Sequence, residues 1–135
     1  MAFSALAVFV YGSLKPGGHY WSQFCAGKVS APIVAKVRGE IYDLGCGYPG
    51  AIFNNANWIT GVVLTFNNEA DFKSIDHLEG YNPAQISEKN DYERLQVECF
   101  TLKGISLGLV WAYAVNPHYL AAKEAKLLPL GDWPV

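Results

Sequence analysis

Glu79 sits where a carboxylate is chemically costly. Phe72, Ile75 and Leu78 recur at helical spacing, and at about 100° per residue Glu79 projects within roughly 40° of the middle of that apolar stripe, beside Ile75. His77 points the other way. A carboxylate on a face meant for the core must be paired, hydrogen-bonded or protonated, and desolvation there raises its pKa. The last turn of a helix, where the macrodipole is negative, pushes in the same direction. A carboxyl group lifted toward neutrality suits general acid/base chemistry, which makes Glu79 the candidate catalytic residue. The alternative is a Glu79 that turns outward at the helix end or pairs with Arg94 or Lys73.

A second candidate element is the run Tyr11-Gly12-Ser13-Leu14-Lys15-Pro16-Gly17-Gly18. Backbone N–H groups exposed in such a turn can hold a carboxylate or an oxyanion without any side chain. The run lacks the order Gly-x-x-x-x-Gly-Lys-[Ser/Thr] of a phosphate loop, and no Gly-x-Gly-x-x-Gly is present. A glycine-rich turn after a strand can also be no more than a turn. Ser13 has no His-Asp partner pattern, since His19, His77 and His118 are scattered, so it is read as part of the backbone-donor turn. Neither these histidines nor Cys25, Cys46 and Cys99 have the spacing of a zinc site, and no metal is expected.

The elements that must position these groups are mostly strands. Ala5 to Tyr11 reads as a buried strand, followed by β-rich runs at Val34 to Leu44, Trp58 to Phe66, Tyr92 to Leu102 and Ser106 to Val115. Lys103-Gly104 marks a hairpin between the last two. Loops are expected at residues 15–18 and 45–50. The clearest helix starts after Asn68, with Glu69 and Asp71 in its first turn, and stops at Gly80. A shorter helix is expected after Asn116-Pro117. Strands outnumber helices without βαβ alternation, which predicts an α+β fold with a closed or strongly curved sheet.

Composition narrows the function classes. The 135 residues predict one domain, spanning 1–135, with a real core. Hydrophobic residues make up 51% and charged residues 16%, with mean hydropathy +0.11, which excludes disorder and coiled coil. A net charge of −2 and a pI near 5.9 create no field that recruits a phosphate backbone, so no nucleic-acid partner is expected. Three cysteines without CxxC spacing fit a reducing cytoplasm better than a secreted disulfide framework. The apolar opening lacks a basic leader and is far shorter than a membrane span, so no membrane partner is expected. Oligomeric state leaves no signal.

Taken together, these segments resemble the gamma-glutamylcyclotransferase-like superfamily. The specific matches are Val8-Phe9-Val10-Tyr11-Gly12-Ser13-Leu14-Lys15, which looks like the family's opening Y-G-[ST]-L loop, and Leu78-Glu79-Gly80-Tyr81, which looks like its acidic motif. Supporting matches follow in the family's order. They are Gly39-Glu40-Ile41-Tyr42-Asp43-Leu44 with Tyr48-Pro49-Gly50, Tyr92-Glu93-Arg94, Trp111-Ala112-Tyr113 and Gly131-Asp132-Trp133. The resemblance implies a small β-barrel with flanking helices and a substrate cavity at one mouth. It also implies a cofactor-free reaction, in which the α-amine of a small γ-glutamyl substrate attacks its own side-chain carbonyl, giving 5-oxoproline and a free amine.

Under that resemblance Glu79 carries the proton, the turn from Tyr11 through Gly12 and Ser13 to Leu14 binds substrate, and Tyr113 supplies an aromatic hydroxyl near the cavity. Tyr81, Tyr92 and Arg94 are expected to fix the chain around the helix end, and Trp21 and Trp133 to be structural. Two other classes remain open at this level. A non-enzymatic binding module would keep the pocket without turnover, and a pure interaction domain would have a filled barrel and an exposed apolar patch.

Overall fold

A computed structural model of the chain describes residues 5–86 and 89–134; Met1 to Ser4, the start of the apolar opening, lie outside them. The elements in chain order are β1 (Ala7–Val10), α1 (Trp21–Phe24), β2 (Ile33–Arg38), β3 (Glu40–Asp43), β4 (Pro49–Ile52), β5 (Trp58–Thr65), α2 (Glu69–Leu78), β6 (Tyr92–Phe100), β7 (Ser106–Val115), α3 (Pro117–Ala121) and β8 (Lys126–Leu127). Five strands close a barrel in the order β1-β5-β2-β6-β7, and a small sheet β4-β3-β8 stands beside it. All barrel pairs are antiparallel except β1 with β7, which meet in parallel at Val8 and Trp111. The fold is α+β, as expected.

The four residues of β1 are all buried, because the strand is covered on both faces. Successive side chains alternate across a strand. Ala7 and Phe9 accordingly join the core cluster that includes Ala35, Val37, Ile59, Val63 and Ala112, whereas Val8 and Val10 join a second cluster with Phe72 and Ile75 of α2. Helix α2 thus lies on the barrel with the stripe read from sequence turned inward.

Both ends of α2 follow local chemistry. The Asn68 side chain accepts the Asp71 N–H at 2.8 Å. At the other end Gly80 adopts φ +65, its N–H donates to the His77 carbonyl at 3.2 Å, and the Tyr81 N–H donates to the Asp76 carbonyl at 2.9 Å, the paired bonds of a Schellman motif. Glu79 is the residue between helix and glycine, fixed by its own N–H on the Ile75 carbonyl at 2.9 Å.

Several expectations are corrected. The run Val34 to Leu44 is two strands, β2 and β3, broken at Gly39, where an added Cβ would lie 2.6 Å from the Ile52 carbonyl oxygen. The loop expected at 45–50 ends early, because Pro49 and Gly50 begin β4 on the edge of the small sheet, a position that tolerates proline. Helix α1 and strand β8 were not anticipated. The β6–β7 hairpin turns as expected at Lys103-Gly104, with Gly104 at φ +93.

Candidate active site

Glu79, Tyr11, Gly12, Ser13, Leu14 and Tyr113 all line one cavity of about 380 Å³. It opens where the end of β1, the C-terminus of α2 and the start of β4 converge. An interaction domain with a filled barrel would lack such a cavity.

Glu79 is half-buried, and neither alternative partner reaches it. Lys73 pairs with Glu69 at 3.0 Å, and Arg94 pairs with Asp76 at 3.1 Å. Burial first, and the charge of Asp76 second, push the Glu79 carboxyl up from 4.5 to about 7. The second cause therefore differs from the helix-end effect inferred from sequence. Asp76 is itself held on two sides, accepting from the Tyr113 hydroxyl at 2.5 Å as well as from Arg94. Arg94 lies over the rings of Phe72, Tyr81 and Trp111, which fixes the chain around the helix end as expected.

The turn after β1 is closed by the Lys15 N–H on the Gly12 carbonyl at 3.1 Å, and its Ser13 carbonyl accepts from the Tyr20 N–H at 2.9 Å. Among the described residues, the N–H groups of Gly12, Ser13 and Leu14 donate to no protein acceptor. Gly12 is required by contact: a Cβ there would meet Pro49 Cγ at 2.8 Å.

The Tyr11 hydroxyl is consumed by the scaffold. It donates to the Tyr113 carbonyl at 2.6 Å and accepts from the Ala51 N–H at 3.2 Å, tying β1 to β7 and β4. Burial raises the Tyr113 hydroxyl pKa, and its bond to Asp76 adds to that, so the group stays a neutral donor.

Tyr92, assigned from sequence to the helix end, lines the cavity instead, with its hydroxyl donating to the Pro49 carbonyl at 2.7 Å. Tyr20, Tyr48, Tyr119 and Asp91 also line it and were missed; the Tyr48 and Tyr119 hydroxyls meet at 2.7 Å. Only Tyr48 carried a signal, as part of the Tyr48-Pro49-Gly50 match. His77, expected to point away, is exposed but contributes to the rim.

Among the described residues no group of three His, Cys, Asp or Glu side chains could hold a metal ion, and no helix is long and apolar enough to cross a membrane. The chemistry available at this site is a carboxyl poised near neutrality facing a turn with unengaged amides.

Comparison with known proteins identifies the family and the fold. The family model described as gamma-glutamyl cyclotransferase, AIG2-like, matches residues 8–135. The chain is 29% identical over 110 residues to the gamma-L-glutamyl-butirosin B gamma-glutamyl cyclotransferase of Niallia circulans. That match covers 81% of this chain and 66% of that protein, just under two thirds of its length. It is 34% identical over 97 residues to a Halalkalibacterium halodurans protein provisionally named a gamma-glutamylcyclotransferase, covering 72% of this chain and 79% of that one. The crystal structure of an AIG2-like protein from Mus musculus has the same fold, with a TM-score of 0.63 at 17% identity over 85% of this chain and 82% of that one. With a match that runs from the first barrel strand to the last residue, the chain belongs to the gamma-glutamyl cyclotransferase, AIG2-like family.

Proposed function

We propose that the protein cyclises a small γ-glutamyl amide to 5-oxoproline and releases the amine, with Glu79 as general base and then general acid. The observation that carries this reading is that Glu79 lines one cavity together with Gly12, Ser13 and Leu14, whose amides donate to no protein acceptor among the described residues. The substrate's α-amine attacks its own γ-carbonyl carbon, forming the ring C–N bond. Glu79 takes the proton that the attacking nitrogen loses and returns it to the departing nitrogen as the amide bond breaks. A carboxyl near pH 7 serves both halves of that shuttle.

Nucleophile and electrophile share one molecule, so the protein mainly folds the substrate into an attack geometry. The turn amides hold the substrate carboxylate, and the aromatic walls, Tyr113 among them, exclude water. The proposed reaction calls on no cofactor, and its setting is the cytoplasm.

Glu79→Gln tests the assignment, because the amide keeps the shape and loses the shuttle. Turnover should fall roughly a hundredfold or more while the fold is kept. Near-native turnover by a folded variant on a verified substrate would remove Glu79 from the mechanism, whereas saturable binding without product in the unmodified protein would favour a binding module.

A further inference from the structure

Among the described residues no lysine or arginine lines the cavity. A substrate carboxylate there depends on the Gly12, Ser13 and Leu14 amides, and so on how firmly that turn is held. The adjacent residue, Lys15, is only 7% exposed, which is unusual for a lysine. Its ammonium donates to Asp132 Oδ1 at 3.0 Å and to the Trp133 carbonyl at 2.6 Å, acceptors 117 and 118 residues away in sequence. Its backbone meanwhile belongs to the turn. The N–H closes onto the Gly12 carbonyl at 3.1 Å, and the Lys15 carbonyl accepts the Gly18 N–H at 2.7 Å.

The far end of this tether is fixed as well. Gly131 accepts the Thr60 N–H of β5 at 2.8 Å and passes so close to Trp58 that a Cβ would lie 2.0 Å from its carbonyl oxygen. Its φ of +68 is also one that glycine adopts without strain. Trp133 packs against the barrel core. The Gly131-Asp132-Trp133 segment is thus anchored to the barrel and reaches across to the site loop.

We propose that Lys15 is the positioning residue for carboxylate recognition: through Asp132 and the Trp133 carbonyl it straps the Gly12–Leu14 turn to the barrel wall, with its amides arranged before substrate arrives. This rests on the proposed reading of the turn as the carboxylate site. Preorganised donors bind without an ordering cost, whereas a loosened turn must be ordered by the ligand and loses affinity specifically for the group it holds.

The test compares γ-glutamyl methylamide with 4-aminobutanoyl methylamide, which keeps the amine and the amide and lacks only the α-carboxylate. Binding is measured by calorimetry in the Glu79→Gln background, so that no turnover intervenes. The parent should prefer the carboxylate ligand by about tenfold or more, the scale of hydrogen bonds to a charged group. Adding Lys15→Met should reduce the preference to within about threefold, and Lys15→Arg should restore most of it. A merely structural lysine would lower thermal stability and leave the ratio of affinities unchanged. Should Lys15→Met not fold, Asp132→Asn, at a position whose side chain is 53% exposed, provides the second variant and should reduce the ratio partially. If the parent discriminates and the variants discriminate equally well, the strap is wrong and the site reading stands. Equal binding of the two ligands by the parent would overturn both.

Discussion

Glu79 combines a half-buried position, two local basic residues committed elsewhere, and a negative neighbour one turn back. Its position on the apolar stripe was legible because helical periodicity is local. The charge of Asp76, one turn back on the same helix, was equally local and was overlooked; what the sequence could not show is that Tyr113 of β7 and Arg94 of β6 both bind Asp76. A carboxyl whose folded-state pKa is raised from 4.5 to about 7 also leaves a mark on stability. The folded chain holds that proton where the unfolded chain has released it. The stabilisation is therefore complete below about pH 4.5 and is lost as pH rises through about 7. The unfolding free energy of the unmodified protein, relative to Glu79→Gln, should accordingly fall by on the order of 3 kcal/mol between pH 4.5 and 8. Urea titrations at the two pH values measure it, and a relative stability that is flat or rises with pH would mean a solvated or salt-bridged carboxyl.

Helix α2 is the element that delivers Glu79, and its two ends were readable because capping is local chemistry. Asn68→Ala should remove the bond to the Asp71 N–H and cost about 1 kcal/mol in urea unfolding. A loss below about 0.3 kcal/mol would show that tertiary packing alone sets the start of the helix. Strands were less legible. The break at Gly39 and the strand starting at Pro49 are consequences of distant contacts with Ile52 and with β3, and composition alone gave the opposite reading at both places. The short helix α1 carries no side-chain cap, so it left no start signal of the kind that marked α2.

At the scale of the molecule, barrel closure creates the site. The parallel contact of β1 with β7 brings the turn after Tyr11 beside Tyr113, residues 102 apart, and the packing of α2 sets Glu79 against both. Closure also explains why Tyr92 was assigned to the helix end and why Tyr48 and Tyr119 were not placed in the site, since their approach to the cavity has no periodic signature. A closed or strongly curved sheet followed from the strand pattern and the cavity at its mouth from the family resemblance, whereas most of the aromatic lining, Tyr113 apart, depends on contacts between distant segments. A cavity that must fold a substrate onto itself implies strict demands on that substrate. Quantifying 5-oxoproline after incubating the protein with a free γ-glutamyl amide, its N-acetylated form and the α-linked glutamyl isomer tests the central claim most directly. Release from the free γ-glutamyl amide alone is the predicted result, because the acetylated form has lost its nucleophile and the α-isomer presents the wrong carbonyl. Cleavage of the acetylated amide would mean ordinary hydrolysis and would contradict intramolecular cyclisation at Glu79.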